Sequence, residues 1–174
     1  MSESTTSEPP GDAVDRSRLC TRIGMAFEGI SLGKGVGLNH AQGIDDYESE
    51  EVCQSLRLGD EKDDWRRISS ANLNNCRSSL SFFDAEGMRL HLPAYLLAEI
   101  NGDYRFDLVM EFIDLNDYKL EQFSLLSTEQ RGAIGDYLRF IQDQAGHWLD
   151  VHKIDFALET FWDVYPASPA TKNA

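Results

Sequence analysis

The sequence predicts an α+β fold: a mainly α-helical single domain with a small β-hairpin near 80–92. Two observations carry this. Most segments place a capping residue ahead of apolar positions at helical spacing, and one stretch, LSFFDAEGMRLHL, sets two apolar runs either side of a short turn containing Gly87. Hydrophobic residues make up 41% and charged residues 26%, with nine Phe, six Tyr and three Trp, enough to build one core in 174 residues. The folded body is expected over 13–165, between polar tails at 1–12 and 166–174 that contain proline and small residues.

Taken in order, the first helix is expected over 13–30, with Val14, Leu19, Ile23, Met25, Phe27 and Ile30 roughly on one face. Asn39 is expected to cap a short helix HAQGIDDYES, and Ser49 to cap EEVCQSLRL. GDEKDD at 59–64 reads as a solvated turn, and 69–80 as a serine-capped helix. In MRLHL, Met88, Leu90 and Leu92 alternate with Arg89 and His91, the pattern of a strand with one face buried and His91 pointing outward. Pro93 then suits the first turn of a helix PAYLLAEI, with Gly102 as its stop. FDLVMEFI, 106–113, is compact and apolar. Ser127 and Gln130 fit a capping box opening a helix with Ile134, Tyr137, Leu138 and Ile141 on its core face. A last helix is expected over about 147–164, carrying Trp148, Leu149, Val151, Phe156, Phe161 and Trp162.

GISLGKGVG, 29–37, invites comparison with phosphate-binding loops, and fails it. Gly29 and Gly33 enclose three residues rather than four, and Gly35 stands where a P-loop needs a hydroxyl. The dinucleotide fingerprint also fails, because Leu38 takes the place of its third glycine. The segment reads as a helix end followed by a flexible linker. No nucleophile elbow occurs, and the histidines (His40, His91, His147, His152) lack metal-ligand spacing. Cys20, Cys53 and Cys76, separated by 33 and 23 positions, form no CxxC pair and read as ordinary buried thiols. Neither a cofactor nor a metal is expected.

Charge is the clearest bulk feature: 16 Lys+Arg against 30 Asp+Glu, a net −14. A field of that sign repels nucleic acid and anionic membranes and attracts basic surfaces. The excess concentrates between Ile44 and Trp65, where nine carboxylates face only Arg57 and Lys62. This segment is no calcium loop, for it lacks the D-x-[DN]-x-[DN]-G order. Its candidate partner-binding residues are Asp45, Asp46, Glu48, Glu50, Glu51, Asp60, Asp63 and Asp64 for steering, with Tyr47 and Trp65 as aromatic anchors. No apolar run approaches the roughly 18 residues that span a bilayer. The acidic N-terminus is unlike a signal peptide, so a cytoplasmic protein is expected.

LSFFDAEGMRLHLPAYLLAEI (80–100), with IDDY (44–47), DW (64–65) and LLSTEQRGAI (125–134), resembles an uncharacterised family of small acidic bacterial proteins over about 25–145. The resemblance implies a bacterial cytosolic protein and carries over no catalytic residue. The function expected is an acidic protein-binding module of the immunity or antitoxin type, which neutralises a cognate toxin by direct binding to a basic partner. The alternatives are a hydrolase or metal-dependent enzyme with a site assembled from distant segments, and a small regulatory adaptor.

Overall fold

A computed structural model describes residues 10–144 and 150–164, the first five of these by backbone alone. Residues 1–9 of the expected N-terminal tail and all of the expected C-terminal tail, 166–174, fall outside the described residues, as do Tyr165 of the expected body and His147, Trp148 and Leu149 of the expected last helix. Among the described residues nine α-helices succeed one another: α1 (Pro10–Ala26), α2 (Leu38–Asp45), α3 (Glu50–Leu58), α4 (Ser70–Asn75), α5 (Ala85–Ile100), α6 (Met110–Ile113), α7 (Asp117–Gln122), α8 (Thr128–Gln144) and α9 (Val151–Ala157). Single 3₁₀ turns lie at Trp65–Arg67 and Ser79–Ser81, and α9 continues as a π-helical turn, Leu158–Trp162. Residues 10–12, expected in the N-terminal tail, form the start of α1.

The described residues contain no β-strand, so the fold is all-α and the expected hairpin near 80–92 is absent. The supposed turn AEG is the first turn of α5. Asp84 decides this, accepting the Gly87 N–H at 2.8 Å and so capping the helix where a hairpin would have reversed. The alternation in MRLHL misleads because α5 is the central helix: eleven of its sixteen residues are buried. A helix apolar on nearly every side has no polar face to reveal its period. His91, expected to point outward, is fully buried, and Pro93, expected in a first turn, lies mid-helix.

Around α5 pack α1, α4, α7 and the Trp65 turn, while α1 also lies along α8. Two indoles of the core are held by main-chain carbonyls. Trp65 Nε1 donates to Phe27 O and Trp162 Nε1 to Phe112 O, each at 2.8 Å. Phe112, Phe123, Tyr137, Phe161 and Trp162 form a continuous cluster of rings beneath α6 to α9. The Ser127 capping box forms as expected, with Gln130 N donating to Ser127 Oγ at 3.2 Å and Ser127 N to Gln130 Oε1 at 3.0 Å.

The glycine segment is a docked loop rather than a flexible linker. Arg57 of α3 donates to Gly35 O (3.0 Å) and Gly33 O (2.9 Å) on one side. On the other, Lys34 N donates to Glu86 and Val36 N to Asp84. Glycine is required at position 35, where a Cβ would stand 2.6 Å from Glu86 Cβ and 2.8 Å from Gly87 N.

Candidate functional site

Helices α2 and α3 form a hairpin of helices, and their junction brings most of the expected partner-binding residues together. α2 ends in a Schellman motif: Tyr47 N donates to Ile44 O (3.2 Å) and Glu48 N to Gly43 O (3.0 Å). The residue that reverses the chain there is Tyr47, at φ 57°, in the left-handed region usually reserved for glycine. Its side chain is 96% exposed. Asp46 and Glu48 flank it in solvent, with half-buried Asp45 behind; Gln42 Nε2 donates to Asp46 at 3.1 Å. Ser49 then caps α3, accepting Val52 N at 3.3 Å, as its sequence context implied. Exposed Glu50 and Glu51 follow in the first turn of α3, where carboxylates favour the positive end of the helix dipole.

The remaining candidates divide differently. Asp63 is exposed. Asp60 is buried, accepting from Asn39 N (2.7 Å), Asn39 Nδ2 (2.8 Å) and His40 N (3.2 Å). It thereby caps α2 from twenty-one residues away, replacing the local cap expected from Asn39, which lies inside the helix. GDEKDD is accordingly a structured clasp rather than a solvated turn. Glu61 Oε1 gathers the N–H groups of Lys62, Asp63 and Asp64 at 2.9–3.1 Å, and these backbone donors hold its carboxyl below the usual carboxylate range. Asp64 caps the Trp65 turn through Arg66 N at 3.1 Å. Trp65 is 4% exposed and belongs to the core, so it is no surface anchor.

The sequence reading missed the apolar side chains beside the acids. Val52 and Leu56, one turn apart on α3, are exposed, and Ile44 and Leu58 are exposed near them in sequence. An i,i+4 apolar pair reads as a core stripe, and only the placement of α3 shows otherwise. Acid, tyrosine and aliphatic groups therefore share one helical hairpin.

Among the described residues, no group of three or more His, Cys, Asp or Glu side chains is placed to hold a metal ion. No helix among them is long and apolar enough to cross a membrane. Among the described histidines His91 is the most perturbed. Its Nδ1 lies 2.7 Å from Gly87 O and must carry the proton, since a carbonyl only accepts. Burial depresses its pKa to about 4, against smaller opposing contributions from the Gly87 bond and from Asp60 and Asp84. Phe83 stacks on its ring at 4.4 Å. Glu99 is raised by burial, though the Tyr137 hydroxyl and Leu108 N–H both donate to it; the contact ties α5 to α8.

The fold and this surface define an all-helical domain presenting an acidic helical hairpin. The chain belongs to the family of unknown function DUF6714, which it matches over residues 15–165, more than the 25–145 over which the resemblance was read. No curated protein and no solved structure matches it.

Proposed function

We propose that the protein is a binding module whose α2–α3 hairpin docks on a basic protein partner. The form that best suits its charge is an immunity or antitoxin protein in the cytoplasm of a bacterium, covering a toxin. The observation that carries the reading is Tyr47. An aromatic side chain almost wholly in solvent occupies a backbone position that favours glycine, amid Asp45, Asp46, Glu48, Glu50 and Glu51. Folding gives no account of such a choice. Burial of the ring in a partner would, since tyrosine is enriched among the residues that dominate interface energies. The carboxylates supply steering, and Val52 and Leu56 supply apolar contact beside them.

The test is to capture the partner from the native host at low salt, purify it, and measure affinity against ionic strength. Lysine at positions 45, 46, 50 and 51 should weaken binding more at low than at high salt, with folding verified by thermal melting. Tyr47→Ala should cost about 1–2 kcal/mol at both salts. Unchanged affinity and unchanged salt slope in both variants would refute the proposal.

A further inference from the structure

A second surface, away from the hairpin tip, carries chemistry of its own. A cleft of about 440 Å³ opens between the glycine loop, the N-terminus of α5 and α7, a volume within the range of small-ligand sites. Asp84, Glu86 and Glu121 line it, with Phe82 and Tyr118, and no lysine or arginine among the described residues does. Among the described residues none of these three carboxylates forms an ion pair. Asp84 and Glu86 each accept backbone N–H groups from the loop, which fixes them in place without neutralising them.

Gln122 is the independent observation. It also lines the cleft, is 2% exposed, and its Oε1 is buried without a donor among the described residues. The amide cannot simply be turned over to cure this. Its Nε2 donates to two carbonyls, Leu80 O at 3.1 Å and Phe83 O at 2.7 Å, and exchange would set oxygen against oxygen. A buried acceptor left unsatisfied is costly, and a donor brought into the cleft beside Gln122 would relieve it. The Tyr118 hydroxyl cannot serve, because it already donates to Ser81 O at 2.7 Å. Burial first, then the charges of Glu121 and Asp84, raise the Tyr118 pKa, in keeping with a negative field at this spot.

We infer that this cleft binds a guanidinium group, the side chain of an arginine, with carboxylates on its N–H edges and the Phe82 and Tyr118 rings available to its flat face. Arginine fits better than lysine. Its planar fork offers five fixed donors to several acceptors at once and stacks on aromatic rings, whereas an ammonium is a compact, strongly hydrated point charge. This site is distinct from the hairpin tip, and its occupancy does not depend on the function proposed for that tip.

The experiment is an amide chemical-shift titration of the full chain with Nα-acetyl-argininamide, alongside the lysine and citrulline amides. The arginine compound should shift the amides of Glu121, Gln122 and Ser124 saturably. The citrulline compound, which keeps the shape and loses the charge, should bind about tenfold more weakly, the loss of one charged hydrogen bond. Glu121→Gln, at an exposed position, should weaken arginine binding about fivefold or more while leaving the melting temperature unchanged. The combined substitutions Asp45→Lys, Asp46→Lys, Glu50→Lys and Glu51→Lys should leave saturable binding at the cleft, which separates this site from the tip. The inference is overturned if the cleft amides do not shift saturably, if shifts cluster at 44–52 instead, or if citrulline or lysine binds as well as arginine.

Discussion

At the scale of single residues, two helix ends in this chain use the same motif with different residues, which isolates the cost of Tyr47. α5 closes with Gly102 at φ 76°, its N–H on Glu99 O and that of Asp103 on Ala98 O. α2 closes identically with Tyr47 at φ 57°. A side chain in that region costs about 1 kcal/mol or more, partly offset because glycine frees the unfolded chain. Tyr47→Gly should therefore stabilise the fold by about 0.5–1 kcal/mol in denaturant melts while abolishing the aromatic contact with a partner. A lower midpoint would mean that the ring already stabilises the monomer. His91 gives the pH dependence. Its folded pKa of about 4 lies below the unfolded value near 6.5, so the unfolded chain binds the extra proton first. The stability this group contributes is present above pH 6.5 and is lost as pH falls toward 4. Between pH 7 and pH 5 the loss should be roughly 2 kcal/mol. His91→Phe, compared with the wild type by denaturant midpoint at both pH values, should remove that part of the slope. Glu99, raised in the fold, acts in the opposite sense and remains in both proteins.

At the scale of elements, local capping was legible and long-range capping was not. The Ser49 cap, the Ser127–Gln130 box and the Gly102 stop each rest on residues a few positions apart, and each forms. Asp60 could not be read in this way, because its donors lie about twenty positions upstream and its carboxylate looked like one more surface acid. Trp65 looked like an exposed anchor for the same reason: its neighbours in sequence are charged, and only the tertiary fold brings Phe27 O to its indole. The false hairpin has a different origin. Burial on nearly all sides of α5 erased the helical period, and Pro93 suggested a helix start while standing in the middle of one. The docked glycine loop offers a test at this level. Gly35→Ala would force a Cβ against Glu86 and the Gly87 backbone, so it should destabilise by about 1–3 kcal/mol in thermal or denaturant melts. A neutral outcome would show that the loop can lift from α5 at little cost.

At the scale of the whole molecule, the net charge of −14 overstates what any one partner meets. Asp60 directs its charge at the end of α2, Glu61 gathers three backbone donors, and Asp64 holds a turn. The acids left to face solvent around Tyr47 are those of the short run 45–51. Salt dependence of the proposed partner binding should accordingly match a few contacts, and the low-salt advantage of the wild type over the charge-reversed variant should shrink as the screening length falls toward about 8 Å near physiological ionic strength. The family match covers nearly the whole described chain and names no activity, and a shared fold does not by itself imply one. A bend between two short helices, with its tyrosine at the apex, is a prong rather than a plate. The partner proposed for it would then be hollow, a basic crevice that the prong plugs, so that shape as well as charge would choose it.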